Sequence, residues 1–450
     1  MYQHRKFIYP YFLLGDCSFE KKVYIIISSY YLIVMKFSKK FKLQLMLLSV
    51  IILLGNSFYI NGSLRTSSTN LLYDYPLGDN QYLESVAISS DGFYIAATCY
   101  TVDSMHSIEN AKVYLFNNSL PQLDNPTWNY LTSNSLYNVD ISANGSSIAV
   151  GGGDDDRNVY FFDYLNPVPE WNYPTGGWVY DTWISDDGNY IAAASGANEV
   201  FLFNKTGSSP FWEASTDGLA LRVEASSNVD YIVVTDNAHK LYLFNKSSSL
   251  PEWTFSFSLD MSTALSMSDD GNYFVSGGEA IYLFNKNSST PIWTYSTSDY
   301  VRSVRITPDG NYIVAGCWNN RVYFFSRLTS TPLWSYQTGG EIAAVDISDN
   351  GEYIVAQSDD NYVYLFNNAS SNPVWSYRLD GVDTGDYDYE LGISSDGKFI
   401  VAGGRHYIYV FGHDLEIPLR TLLPGYNLVV VIGITSILTI VIIYRKRTRK

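Results

Sequence analysis

Five histidines are spread thinly through this chain of 450 residues: His4, His106, His239, His406 and His413. No HxH or HExxH spacing occurs, so no two imidazoles are set side by side for a metal. A metal pair would have to come from His106 and His406, which only a closed ring of repeats would make neighbours. Three cysteines are too few for a disulfide framework or a Cys-rich zinc module. No G-x-S-x-G elbow is present, and no glycine-rich loop opens a helix to cradle phosphate. Catalytic chemistry that leaves a linear motif is missing; groups scattered over several repeats would leave none. No cofactor is expected.

The acids are better organised. Asp154, Asp155 and Asp156 form one run. The segment DGVDTGDYDYE (380–390) holds Asp383, Asp386, Asp388 and Glu390, hard oxygen donors of the kind Ca²⁺ takes, though not at EF-hand spacing. Two readings stand, a solvated acidic loop and a weak Ca²⁺ site. A third set, Asp140, Asp181, Arg222, Glu224, Arg305 and Asp346, recurs at matching places in short alternating segments. Mixed charges there either pair between neighbouring repeats or offer a polar ligand site at a channel mouth.

Charge is segregated along the chain. Thirteen of the 29 Lys and Arg lie in residues 1–45 and 445–450, which hold only two acids. The body keeps 16 basic against 43 acidic residues, a balance near −27, more extreme than the chain's −16. Such a surface repels nucleic acid and anionic lipid and favours cations, basic proteins or neutral sugars. The expected partner is a protein or glycan, cationic or bridged by Ca²⁺.

These residues are positioned by a repeat. Phe116, Phe162, Phe203, Phe244, Phe284, Phe325, Phe366 and Phe411 recur 40–46 residues apart, and Trp128, Trp171, Trp212, Trp253, Trp293, Trp334 and Trp375 recur 40–43 apart. Two independent markers share a period of about 41. Within one unit, SVRIT, NYIVAGC, RVYFF and LWSY read as four short strands joined by Gly, Asn, Asp, Ser and Pro turns. The DG and NG pairs suit hairpins because both residues tolerate φ > 0; SSNVDY (226–231) lacks the glycine and predicts a longer or looser hairpin. One such sheet cannot bury both faces, whereas eight arranged radially can. The fold predicted is an all-β, eight-bladed propeller of four-stranded antiparallel blades over 71–416. LLYDYPLGD (71–79) matches LWSYQTGG (333–340) and is the first choice for the strand completing blade eight; IPLRTLLPG (417–425) is the rival.

The stretch VRITPDGNYIVAGCWNNRVYFF resembles the WD40 class, and VYFFSRLTSTPLWSYQTGG resembles the repeat of quinoprotein-type (PQQ-like) propellers, whose tryptophan-bearing outer strand docks neighbouring blades. The WD dipeptide is absent. A quinoprotein dehydrogenase also needs adjacent cysteines over its cofactor, and Cys99 and Cys317 fall in different units. The resemblance implies the fold and leaves function open.

The ends imply a membrane. Residues 426–444, YNLVVVIGITSILTIVIIY, carry no charge and as a helix would span about 29 Å, one bilayer core. RKRTRK (445–450) follows and places the C-terminus in the cytoplasm by the positive-inside rule, with 417–425 as a membrane-proximal linker. Residues 35–62 read as a signal peptide with Gly55-x-Ser57 as cleavage candidate, or as an uncleaved signal anchor; 1–34 read as an upstream extension with Met35 the true start. Candidate glycosylation sites are Asn61, Asn117, Asn144, Asn204, Asn245, Asn287 and Asn368, five of them in third-to-fourth strand turns. The candidate binding face is the one bearing Asp154–Asp156, Trp318 and the acids of 380–390. The expected function is a non-enzymatic cell-surface recognition, adhesion or protein-interaction scaffold. The alternatives are an enzyme on a quinoprotein-like or glycan-active propeller, and a purely structural envelope protein.

Overall fold

Blade six shows how the sequence makes its sheet. Val301–Ile306, Tyr312–Cys317, Arg321–Ser326 and Trp334–Gln337 pair antiparallel in that order. In the two middle strands nearly every residue is buried on both faces, because each blade is covered by its neighbours. Outer strands alternate half-buried and exposed, as in Pro373–Arg378, because only one face meets the next blade. Each hydrophobic cluster accordingly spans two adjacent blades; one joins Ala192, Val200 and Leu202 of blade three to Val223, Ile232 and Val234 of blade four.

The computed structural model describes residues 71–78, 80–103, 107–118, 125–132, 135–154, 156–258, 263–379 and 391–413, with the backbone of six further short strands in the termini. The chain divides into two units, 67–414 and the combination of 1–66 with 415–450. The first is the propeller: eight four-stranded antiparallel sheets. In the second, Tyr24–Ile26, Leu32–Val34, Tyr426–Gly433 and Thr439–Lys446 share an antiparallel sheet, and Ser63–Arg65 pairs with Glu416–Pro418. No helix among the described residues is long and apolar enough to cross a membrane. The helix expected over 426–444 is thus not part of the described structure, in which Tyr426–Gly433 and Thr439–Lys446 are paired strands.

The repeated aromatics are the blade-to-blade clamp. Seven Trp rings pack on the Phe of the next blade, with centroids 5.3–6.1 Å apart. Six of them also donate Nε1–H to a main-chain carbonyl in that blade's third-to-fourth strand turn, at 2.7–2.9 Å. In blade eight the fourth strand is Leu71–Pro76, paired with Tyr407–Gly412, so the N-terminal strand closes the ring as its sequence pattern predicts. Tyr73 stands opposite Val410 as Trp375 stands opposite Leu365. Its hydroxyl replaces the indole N–H, donating to Asn118 Oδ1 at 2.9 Å.

The clamp can be measured. Trp334→Phe keeps a ring on Phe366 but loses the bond to the Asn368 carbonyl, and should cost about 1 kcal/mol. Trp334→Ala empties the interface and should cost about 3 kcal/mol. Urea midpoints of the two variants check the ratio; equal losses would assign the whole effect to the hydrogen bond.

The first hairpins also share one geometry. In blade three the Ser185 hydroxyl donates to Asp187 Oδ1 (2.7 Å) and accepts the Tyr190 N–H (3.0 Å). At the matching glycine of blade two, Gly145 has φ +71°, and a Cβ there would lie 2.4 Å from the Tyr94 ring. Blade four corrects the expectation of a looser hairpin. Ser226 still accepts from the Tyr231 N–H at 3.1 Å, and Val229 takes the glycine's place at φ 63°. A β-branched residue is strained there; burial of Val229 in the cluster between blades three and four offsets that cost.

Candidate functional site

The first strands surround a central channel that opens a cavity of about 990 Å³. Asp140, Asp181, Arg222, Glu224, Arg305 and Asp346 are among the residues that line it. Inner strands leave amides without a ladder partner at the channel edge, and side chains from the preceding blade satisfy them. Ser85 accepts from Val139 N–H (3.1 Å), Asn138 from Thr182 (3.1 Å) and Asp181 from Val223 (2.9 Å). One pleat on, Asp140 accepts from Ile184 (2.8 Å), Ser266 from Ile306 (3.2 Å) and Asp346 from Ile393 (2.9 Å). Pairing between blades is therefore the work of Asp140, Asp181 and Asp346. Arg305 Nε lies 3.6 Å from Asp346 Oδ1, and Arg222 Nε donates to the Thr263 carbonyl at 2.9 Å. Glu224 accepts no hydrogen bond from any described residue.

Four carboxyls in an enclosed channel cannot all ionise freely. Burial pushes Asp140 up to about 7, against two backbone N–H bonds and with Asp181 adding to the rise. Burial pushes Glu224 up to about 8; Arg305 opposes, while Asp181, Asp140 and Asp346 add. Asp181 and Asp346 are also raised by burial, against the nearby Arg222 and Arg305 respectively. At the DG-turn end, Asp269 is pushed up to about 6 by burial and by the charges of Asp186 and Asp349.

The other end carries Trp318, which the sequence singled out, together with tyrosines and a second tryptophan that it did not. Tyr300 and the 40% exposed Trp318 lie 5.1 Å apart and line the channel mouth. Tyr137 packs between Trp178 (5.9 Å) and Tyr180 (6.1 Å), and Tyr82 between Tyr100 (5.3 Å) and His406 (4.9 Å). These residues sit at the starts of first strands, the end of a second strand and two second-to-third strand loops, so all emerge on one face. Exposed Asp154, Asp217, Asp299 and Glu341 share it.

The expected acids divide. Asp154 is exposed, and its charge raises the Tyr137 and Tyr180 hydroxyls after burial has done so. Asp156 is committed to structure: it accepts the Tyr160 hydroxyl at 2.7 Å and the Asn158 side-chain amide at 2.8 Å. Asp236, Glu279 and Asp360 hold Tyr242, Tyr282 and Tyr364 in the same way. Asp155, His106, Asn61 and the whole of 380–390, with Asp383, Asp386, Asp388 and Glu390, lie outside the described residues. Among the described residues no group of three or more His, Cys, Asp or Glu is placed to hold a metal ion. His406 Nδ1 lies 2.7 Å from the Gln81 carbonyl and so ties blade eight to blade one. Cys99 is buried with its thiol pushed up to about 12, chiefly by burial, so it is no nucleophile. Asn117, Asn204, Asn245, Asn287 and Asn368 cluster at third-to-fourth strand turns, and Asn144 in a first-to-second turn. Asn287 and Asn144 are exposed, while the Asn368 amide donates to the Gly351 carbonyl at 2.9 Å.

Ring closure, blade topology and the Trp clamp define an eight-bladed propeller, WD40-like in architecture, and its repeats from residue 196 to 415 match a PQQ-like repeat family. Residues 196–350 and 253–415 match the family described as outer membrane protein assembly factor BamB. No curated protein matches the chain. Among solved structures, Sqt1 from Chaetomium thermophilum superposes with TM-score 0.65 at 13% identity, over 77% of this chain and 99% of that one. A second structure, of Chaetomium thermophilum Sqt1 bound to the N-terminus of ribosomal protein L10, gives 0.64 at 13% identity over 77% and 100%. At that identity the likeness is one of fold.

Proposed function

We propose that this propeller is a non-enzymatic protein-recognition scaffold, held at the cell surface by its C-terminal apolar segment, and that it binds a basic protein segment on the loop face around the channel mouth. The observation that carries this reading is the set of three half-buried aromatic clusters on that face, one of them with an exposed Trp, set among acids. Aromatic anchors ringed by polar residues are the usual energetic centres of interfaces, and the acids favour a cationic partner by steering. The match to a family described as an outer membrane protein assembly factor, and the Sqt1 structure bound to the N-terminus of ribosomal protein L10, support a partner of protein type.

The membrane part rests on sequence: 19 uncharged residues followed by RKRTRK. An open-edged sheet of such residues would leave peptide groups unpaired in hydrocarbon, whereas a helix satisfies them all. The chain leaves blade eight after Gly412 on the face of the third-to-fourth strand turns.

The experiment is display of the full chain on intact cells and capture of partners from a library of basic proteins. Trp318→Ala with Asp299→Asn and Asp154→Asn should reduce capture at least tenfold, and salt should weaken it. A matched set in the turns of the other face, Asp187→Asn, Asp270→Asn and Asp309→Asn, should leave it intact. Loss in the second set alone would move the interface to the opposite face. External protease should remove the body from intact cells; protection until lysis would reverse the orientation.

A further inference from the structure

We propose that the channel wall formed by blades two to four binds a linear organic polyamine, one ammonium resting on the Trp183 indole between the carboxylates of Asp140 and Glu224. This site lies inside the ring and does not depend on the loop face binding a partner.

At one level of the channel, blades two, three and four present Asp140, Trp183 and Glu224, while blades six and seven present Arg305 and Asp346. The latter two offset one another across 3.6 Å. On the blade two-to-four side Arg222 offsets Asp181, and Arg305 is the cation acting on both Asp140 and Glu224, so an excess of acid remains there. The cation of that wall, Arg222, points its Nε at the Thr263 carbonyl toward blade five.

Glu224 is the telling residue. Its counterparts Asp140, Ser266 and Asp346 each accept an amide from the next blade. Glu224 accepts none; it is half-buried and keeps part of its side chain against the channel space. A carboxylate that lines a cavity and takes no donor from the protein is open to a ligand cation, and a bound ammonium supplies that partner. Trp183 packs partly on the core between blades three and four and lines the cavity beside that carboxylate, and an aromatic face attracts ammonium in a desolvated site. Since no three ligating side chains among the described residues converge on one point, a compact metal ion is a poor match. A chain of spaced ammonium groups fits better: the same cavity continues to Glu279 and Asp299 at the mouth, which can take a second charge.

Proton linkage follows. The groups facing Glu224 are Asp140, Asp181 and Asp346, which disfavour its charge, and Arg305, which favours it. With Glu224 raised to about 8 and Asp140 to about 7, a cation must displace protons at neutral pH, so affinity rises between pH 6 and pH 9, while aliphatic amines stay protonated up to about pH 10.

The test is calorimetric titration of the purified full chain with spermidine at pH 6, 7.5 and 9, in pairs of buffers with different ionisation heats. Saturable binding at least tenfold tighter at pH 9 than at pH 6, with proton release at pH 7.5, is expected. Glu224→Gln should weaken binding about tenfold at pH 9 and flatten the pH profile. Trp183→Leu should weaken it at every pH, and Trp183→Phe should restore most of it. 1,4-Butanediol should not bind. Absence of saturable binding by the folded wild-type chain would overturn the proposal. So would equal affinity in Glu224→Gln, or loss on Asp154→Asn with Glu224→Gln silent.

Discussion

A chain lacking residues 66–79 is expected to fail to form the propeller, or to melt at least about 10 °C lower and aggregate. Leu71–Pro76 is the outer strand of blade eight, and its removal bares the edge of Tyr407–Gly412, an open template for pairing with other chains. It also strips Tyr73, Tyr75 and Leu77 from the cluster joining blades eight and one, where Tyr75 packs on Phe116 at 4.9 Å. Each such side chain contributes about 1.5–3 kcal/mol by burial, and in a domain this large 1 kcal/mol moves the melting point by about 2–4 °C or less. Ring closure raises the stakes further, since losing one blade contact turns a closed ring into an open stack. Deletion of 417–425 lies outside this unit and should leave propeller melting unchanged. Melting followed by circular dichroism, with light scattering for aggregation, separates the outcomes; a silent first deletion and a damaging second would place closure at the other terminus.

The closing strand shows what the sequence reveals. LLYDYP lacks the repeat's Trp, yet its spacing of apolar and aromatic residues matched LWSY, and Tyr73 does occupy the Trp place. Periodic features such as blade count, strand order and the channel-facing positions are legible because each is written many times. Features written once are not. SSNVDY reads as a looser hairpin because a valine at positive φ is unfavourable by itself, and only burial between two blades makes it tolerable. Asp156 reads as a free acid because nothing local announces that the Tyr160 hydroxyl turns back to it. The pairing of Tyr137 with Trp178 joins residues one blade apart, a contact that no short window contains.

Stability should fall as pH rises from about 5 to 9, the reverse of what a strongly acidic protein with paired surface carboxylates would suggest. The sign comes from the channel. Glu224 has a folded pKa of about 8 against an ordinary value of 4.5, and Asp140 about 7 against 3.8. Over the interval between those values the folded state holds protons that the unfolded chain has released, so the slope of stability with pH is negative. Below about pH 4.5 both states hold the Glu224 proton and the slope vanishes; above about 8 neither does, and the full cost stands. Each pH unit of separation is worth about 1.4 kcal/mol, so ionising Glu224 alone costs on the order of a few kcal/mol. Asp181 and Asp346, also raised, act in the same direction. The first-hairpin aspartates act oppositely: burial pushes Asp187, Asp270 and Asp309 up, but Ser or Thr hydroxyls and Asn amides outweigh it and hold them low. Their contribution is present above the ordinary Asp value and is lost as pH falls through the depressed one. Together the two sets predict a stability maximum near pH 5. Glu224→Gln removes one of these raised acids and should raise the melting point at pH 9 by several degrees while changing it little at pH 5. Asp187→Asn should lower the melting point above about pH 4 and change it little at more acid pH, where the carboxylate's contribution is already lost. A melting profile of Glu224→Gln parallel to wild type from pH 5 to 9 would mean that the channel admits enough bulk water to solvate this carboxylate, and the enclosed charge would then have no thermodynamic weight.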